Sequence, residues 1–171
     1  MATYQDWEKT VSESIRGDML WKMRVYRLSL FASDISWSDA TTLIQDKRTL
    51  NLADQLYRAI GSIGANIAEG YSRSSGKDRA RFYEYALGSA REGRDWYYKA
   101  RHLLGPDVTE HRLELLSQII RLILTMLPDQ RQQVIKEETI AYGDILNEDV
   151  EYPSDSQCYG VDSRRQSMRS R

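Results

Sequence analysis

The sequence has one cysteine, Cys158, so no disulfide framework holds it together. Its two histidines, His102 and His111, are preceded at three residues by Lys99 and Val108, not by the Glu of a Glu-x-x-His di-metal pair. One Cys and two separated His do not make a zinc ligand cluster either, so no metal site is expected. There is no G-x-x-x-x-G-K-[ST] phosphate loop, and no Ser/His or Cys/His pair with local support. Neither a catalytic residue nor a cofactor is therefore expected. No apolar run is long enough to span a bilayer, and no N-terminal apolar region precedes a cleavage site, which reads as a cytoplasmic protein with no membrane partner. Three prolines and little strand-like alternation point to an all-α fold. A chain of 171 residues can bury a core without staples.

The helical signal is strongest between Leu50 and Glu92. Leu52, Leu56, Ile60, Ile63 and Ile67 recur at steps of four and three, one face of a helix. Gly61 and Gly64 lie among them; each costs about 1 kcal/mol of helix propensity, which close contact with another helix would offset. Gly61-Ser62-Ile63-Gly64 also matches the G-x-x-G of a nucleic-acid module, but its place inside a helical period favours packing. Gly70 is expected to end this helix in a left-handed conformation, and Asn66 and Glu69 to be buried and hydrogen-bonded. Ser74 or Ser75 caps the next helix, whose seam is expected along Phe82, Ala86, Ser89, Gly93, Trp96, Ala100 and Leu103.

Two further helices complete an antiparallel up-down four-helix bundle over residues 18–128. One starts after Gly17-Asp18 and runs past Ile35 to Ile44; the other follows Gly105-Pro106. Residues 1–17 read as an arm or a short amphipathic helix, with Tyr4, Trp7, Val11 and Ile15 about four apart. Pro128 is expected to interrupt the fourth helix, and residues 129–171 to form a polar, partly disordered extension. The fourth helix carries two apolar stripes. Leu113, Leu116, Ile120, Ile123 and Leu127 suit the core; Leu115, Ile119, Leu122 and Met126 are left for a homo-oligomer interface.

The net charge of −1 conceals an uneven distribution. From Lys22 to Arg101 there are 14 Lys/Arg against 9 Asp/Glu; from Asp129 to Asp155 there are 2 against 8. The chain ends on Arg164, Arg165, Arg169 and Arg171. Such a body is either a solvated helical surface or a polyanion-binding one. The candidate phosphate contacts are Arg58, Arg73, Lys77, Arg79, Arg81, Arg91, Arg94 and Arg101. Tyr83, Tyr85, Tyr97 and Tyr98 are interleaved with them as candidate stacking platforms for unpaired bases.

The run Gln55-Leu56-x-Arg58-Ala59-x-x-Ser62-Ile63-x-x-Asn66-Ile67-Ala68-Glu69-Gly70-x-x-Arg73 resembles the signature of a bacterial four-helix-bundle family, as does Phe82-x-x-x-Ala86-x-Gly88-Ser89-Ala90-x-Glu92. That family includes proteins encoded in intervening sequences of 23S ribosomal RNA genes and accessory variability proteins of diversity-generating retroelements. The resemblance covers about Met19 to Leu127; Gly64 stands where the family commonly has proline. It implies a ring-shaped homopentamer, RNA or DNA binding through a basic surface, and, for retroelement members, a reverse transcriptase as partner. It carries no catalytic residues. The expected function is that of a non-catalytic RNA-binding accessory subunit of a reverse transcriptase; the alternative is a protein–protein adaptor without nucleic acid.

Overall fold

The computed structural model describes residues 3–132, with side chains described as far as Asp129. Every regular element among them is a helix: α1 (Tyr4–Thr10), α2 (Glu13–Arg16), α3 (Arg24–Leu43), α4 (Leu50–Tyr71), α5 (Gly76–Leu104) and α6 (Pro106–Gln132). Short 3-10 turns at Met19–Lys22 and Lys47–Thr49 lead into α3 and α4. The all-α expectation holds. Expectations for the acidic stretch beyond Gln132 and for the arginine-rich end lie outside the described residues.

Local chemistry fixes the helix ends. Asp18 Oδ1 accepts from the Leu20 amide at 2.8 Å, and Asp46 Oδ1 from the Arg48 amide at 2.9 Å, opening the two 3-10 turns. Ser75 Oγ accepts from the Asp78 amide at 3.2 Å and caps α5, with Asp78 itself in the first turn. Gly105, at φ 79°, reverses the chain in a conformation that side chains resist, and Pro106 opens α6, where its missing N–H costs nothing.

Successive long helices pack side by side, and their contacts run antiparallel. Gly64 of α4 meets Ser29 of α3, while Tyr57 meets Trp37. Gly70 meets Tyr83 of α5 and Ile60 meets Gly93; Gly93 also lies near Leu116 of α6, and Tyr97 and Arg112 share a partner. The core is the stripe Leu56, Ile60, Ile63 and Ile67 of α4, facing Tyr83, Ala86, Ala90, Tyr97 and Ala100 of α5 and Leu116, Ile119 and Ile123 of α6. Burying a Leu or Ile fully contributes about 1.5–3 kcal/mol each.

Several expectations are corrected. Gly70 does not end α4; the helix continues through Tyr71, and Ser72 is still right-handed. Gly70 is glycine because a Cβ would stand 2.7 Å from Tyr83 Cε1. Gly64 and Gly93 serve the same close approach, whereas a Cβ on Gly61 would meet nothing within 4 Å. The α5 seam stands at Ala86, Gly93 and Ala100, which are buried, but its large residues differ: Tyr83 and Tyr97 are buried while Phe82 and Trp96 flank them and Leu103 is exposed. Glu69 is exposed and pairs with Arg73; Asn66 is half-buried and donates to the Ser62 carbonyl at 2.8 Å. Pro128 does not interrupt α6. Its missing N–H would have met the Leu124 carbonyl, and both residues face solvent, so water can serve that oxygen.

The second stripe of α6 is corrected too. Leu115 and Ile119 belong to the core of the single chain, at 8% and 0% exposure, and Leu122 and Met126 are half-buried against it. The helix lies in the angle between α5 and α3, so a wide apolar face is covered within one chain. At the other end of the described residues, α1 packs onto α3. Trp7 is buried, with ring centroids 5.2 Å from Phe31 and 6.3 Å from Trp21, and Glu8 pairs with Arg27 at 3.1 Å.

One buried polar cluster was not anticipated. Asp39 of α3 accepts from Arg112 Nε at 2.7 Å, from Arg112 Nη2 at 3.2 Å and from the Tyr97 hydroxyl at 2.8 Å. All three residues are at most 6% exposed. Burial, reinforced by the Asp39 charge, raises the Tyr97 phenol far above its ordinary range, so it stays a donor. Arg112 Nη1 lies 2.7 Å from His111 Nδ1, which must accept because a guanidinium only donates. The cluster ties α3, α5 and α6 at one level.

Candidate nucleic-acid interface

Helix α5 has 29 residues, and its helical phase sorts its cations into two groups. Arg91, Arg94, Tyr98 and Arg101 follow one another at steps of three and four, so they share a face beside the buried seam. Arg91, Arg94, Asp95 and Tyr98 line a cleft of about 390 Å³, closed from the other side by Leu113 and Ser117 of α6. Arg94 Nη1 reaches Ser117 Oγ at 3.5 Å. The Arg101 guanidinium lies 4.2 Å over the Tyr98 ring and donates to the Tyr98 carbonyl at 2.8 Å. Asp95 is engaged by Lys99 at 2.5 Å, and Lys99 lies 4.2 Å over the Trp96 ring. Arg91 and Arg94 are exposed and Arg101 is half-buried; the flat contact of Arg101 on Tyr98 leaves guanidinium donors to meet an anion.

The second group sits where α4 turns into α5. Arg73 pairs with Glu69 and lies 4.7 Å over Phe82. Arg81 lies 5.6 Å over Tyr85, and its Nε donates to the Tyr85 hydroxyl at 2.8 Å. Lys77 is exposed beside them. Arg79 leaves the candidate surface: it is 3% exposed, and its Nη2 donates to the Arg73 carbonyl at 2.5 Å, bracing the turn from inside. Arg58 is exposed but stands roughly 22 Å along α4 from Arg73 and faces Asp54 at 3.8 Å. It joins neither group.

Of the four tyrosines, Tyr85 and Tyr98 are exposed, at 46% and 55%. Tyr83 and Tyr97 are buried and cannot meet a base; burial pushes the Tyr83 phenol up to about 12. A larger groove, about 740 Å³, opens between α3 and α6. It sets Arg24 and Arg121 against Glu110 and Glu114 and so offers no single sign of charge. Among the described residues no cluster of three His, Cys, Asp or Glu is placed to hold a metal. None of the described helices is long and apolar enough to cross a membrane.

The pattern of the 23S rRNA-intervening sequence protein family matches residues 22–128. The chain belongs to that family. The match spans α3 to α6 and leaves out α1 and α2. One solved relative is a protein of unknown function from the S23 ribosomal protein family of Bacteroides thetaiotaomicron. It is 22% identical, with a TM-score of 0.57, over 60% of this chain and 97% of the other. At that identity the likeness speaks for the shared fold alone. No curated protein matches.

Proposed function

We propose that this intervening-sequence family member is a non-catalytic RNA-binding protein whose binding surface is the α5–α6 cleft and the basic row beside it. The observation that supports the reading is the row Arg91, Arg94, Tyr98 and Arg101 on one face of α5: Arg91, Arg94 and Tyr98 line the cleft, and Arg101, half-buried, lies over the Tyr98 ring beside it. Arg91 and Arg94 stand about one helical turn apart and Arg101 about two turns beyond Arg94, a row that suits phosphates along a strand, and phosphate contacts carry no sequence information. Arg73, Lys77 and Arg81 extend the positive field toward the other end of α5. The test is fluorescence anisotropy with unrelated labelled RNAs at low salt. Replacing Arg91, Arg94 and Arg101 together by Gln weakens all of them alike; unchanged affinity places the contact elsewhere.

Within this reading the protein acts in the cytoplasm as a homo-oligomer, a pentamer by resemblance, that presents RNA to a reverse transcriptase. Co-purification that ribonuclease abolishes supports that role. The second reading, a protein–protein adaptor, draws on Trp37 and Tyr57, exposed at 66% and 39% with ring centroids 5.8 Å apart. Exposed aromatic pairs suit an interface centre. It is favoured if partner binding survives ribonuclease and is lost in Trp37→Ala.

A further inference from the structure

The α5–α6 cleft contains more than a phosphate groove needs. A groove that only tracks backbone is lined by cations, yet here Asp95 lines the cleft together with Arg91, Arg94 and Tyr98; its Oδ2 takes Lys99, and its Oδ1 is the second acceptor of the same carboxylate. A carboxylate repels phosphate and accepts hydrogen bonds from the amino and imino groups on base edges. Ser117, on the opposite wall, both donates and accepts. Tyr98 adds a ring more than half exposed, backed at 4.2 Å by the Arg101 guanidinium, so the plate and its cation form one stacking unit. The cleft volume, about 390 Å³, lies near the lower end of the roughly 300–1,000 Å³ typical of small-ligand sites, enough for one base with its sugar.

These features differ from the second cationic group on α5. There the guanidinium of Arg81 is occupied by the Tyr85 hydroxyl, and that of Arg73 by Glu69. The two groups are thus unlike in chemistry: one is a patch, the other a notch with cation, acceptor and ring together.

We infer that the notch formed by Arg91, Arg94, Asp95, Tyr98 and Ser117 takes an unpaired nucleobase, and that the protein therefore selects single-stranded or bulged RNA over duplex. The inference rests on the RNA-binding reading above and adds the class of RNA. In an A-form duplex every base is paired and stacked, so no base face is available to lie on a side-chain ring. A duplex then engages the arginines and leaves Tyr98 without a partner. In a single strand one base turns out onto Tyr98, with its edge toward Asp95 and Ser117, while Arg91 and Arg94 hold the flanking phosphates.

The experiment is a set of binding titrations at one salt concentration, using a single-stranded oligoribonucleotide, its duplex, and the same single strand with its central base removed. Wild-type protein binds the intact single strand more tightly than the duplex or the abasic strand. In Tyr98→Ala the preference for the intact strand over the abasic one falls by roughly five-fold or more, the low end of what one stacked base contributes. Tyr98→Phe keeps it, since the ring remains. Asp95→Asn tests the acceptor: it alters the ranking among oligoadenylate, oligocytidylate and oligouridylate. Wild-type binding to duplex and single strand with equal affinity overturns the inference and leaves RNA binding standing. Equal affinity for intact and abasic strands does the same. No binding to any of the three RNAs overturns the RNA-binding reading itself.

Discussion

Replacing Asp39 by Asn tests how far the buried cluster governs stability. The carboxylate accepts three hydrogen bonds, at 2.7 and 3.2 Å from Arg112 and 2.8 Å from Tyr97. The side chains of Asp39 and Arg112 are each 7% exposed, so solvent cannot replace what is lost. Asn keeps the shape but removes the charge that offsets the Arg112 guanidinium. Breaking a buried pair from one side costs about 3–5 kcal/mol. Against a typical domain stability of about 5–15 kcal/mol, that is about a fifth of the total or more. At about 2–4 °C per kcal/mol for a chain of this length, the melting midpoint drops by roughly 6–20 °C. The assay is urea and thermal unfolding followed by far-UV circular dichroism. The companion variant, Asp39→Leu with Arg112→Met and Tyr97→Phe, removes every buried charge and donor of the trio together. It is expected within about 2 kcal/mol of wild type, because the desolvation cost vanishes with the attraction. If Asp39→Asn melts within about 1 kcal/mol of wild type, or if the apolar triple is as damaged as the single variant, the pair is not the buried unit described.

Other expectations follow from single contacts. Gly70→Ala costs about 1–3 kcal/mol, since its Cβ would lie 2.7 and 2.9 Å from the buried Tyr83 ring; Gly61→Ala and Gly88→Ala, facing open space, add about 0.5–1 kcal/mol each in the same melts. Gly105→Ala destabilises because φ 79° is a strained conformation for a side chain. His111 titrates below its ordinary range, chiefly through burial and then through Arg112 beside it. Its unfolded form therefore takes a proton first. The stability it adds is complete above the unfolded value, near 6.5, and is lost as pH falls through the folded value. The midpoint of urea unfolding should fall less steeply below pH 6.5 in His111→Gln than in wild type; identical slopes would show that His111 does not titrate in this window.

Element ends and helix type were legible in the sequence because short-range chemistry sets them: the Ser75 cap, the Gly105-Pro106 break and the α4 stripe all stand as read. The phase of α5 is legible only in part: Ala86, Gly93 and Ala100 of the expected seam are buried, but in place of Phe82, Ser89 and Trp96 the buried row takes Tyr83, Ala90 and Tyr97, one residue further on. Tyr and Arg occur on both faces of α5, and only a distant partner tells which Tyr can be buried. For Tyr97 that partner is Asp39, 58 residues away on α3. Arg79 and Glu69 erred in opposite directions for the same reason. A cation near a turn looks like a phosphate contact until its guanidinium is found on the Arg73 carbonyl, and a Glu near a seam looks buried until Arg73 draws it outward. The stripe Leu115, Ile119, Leu122 and Met126 looked surplus because α6 sits against both α5 and α3, which periodicity alone does not reveal.

In the proposed function, Arg91, Arg94 and Arg101 hold RNA by its phosphates. The most direct measurement is the slope of the logarithm of binding affinity against the logarithm of salt concentration, for wild type and for the Arg91→Gln, Arg94→Gln, Arg101→Gln variant, on one single-stranded RNA. Each lost phosphate contact on a single strand lowers the slope by about 0.7, so three remove about 2. The arginines lie off the buried seam, so the variant keeps its helical signal and its melting midpoint. A folded variant whose slope is shallower by about 2 is the predicted result. A folded variant whose slope and affinity equal those of wild type contradicts the claim.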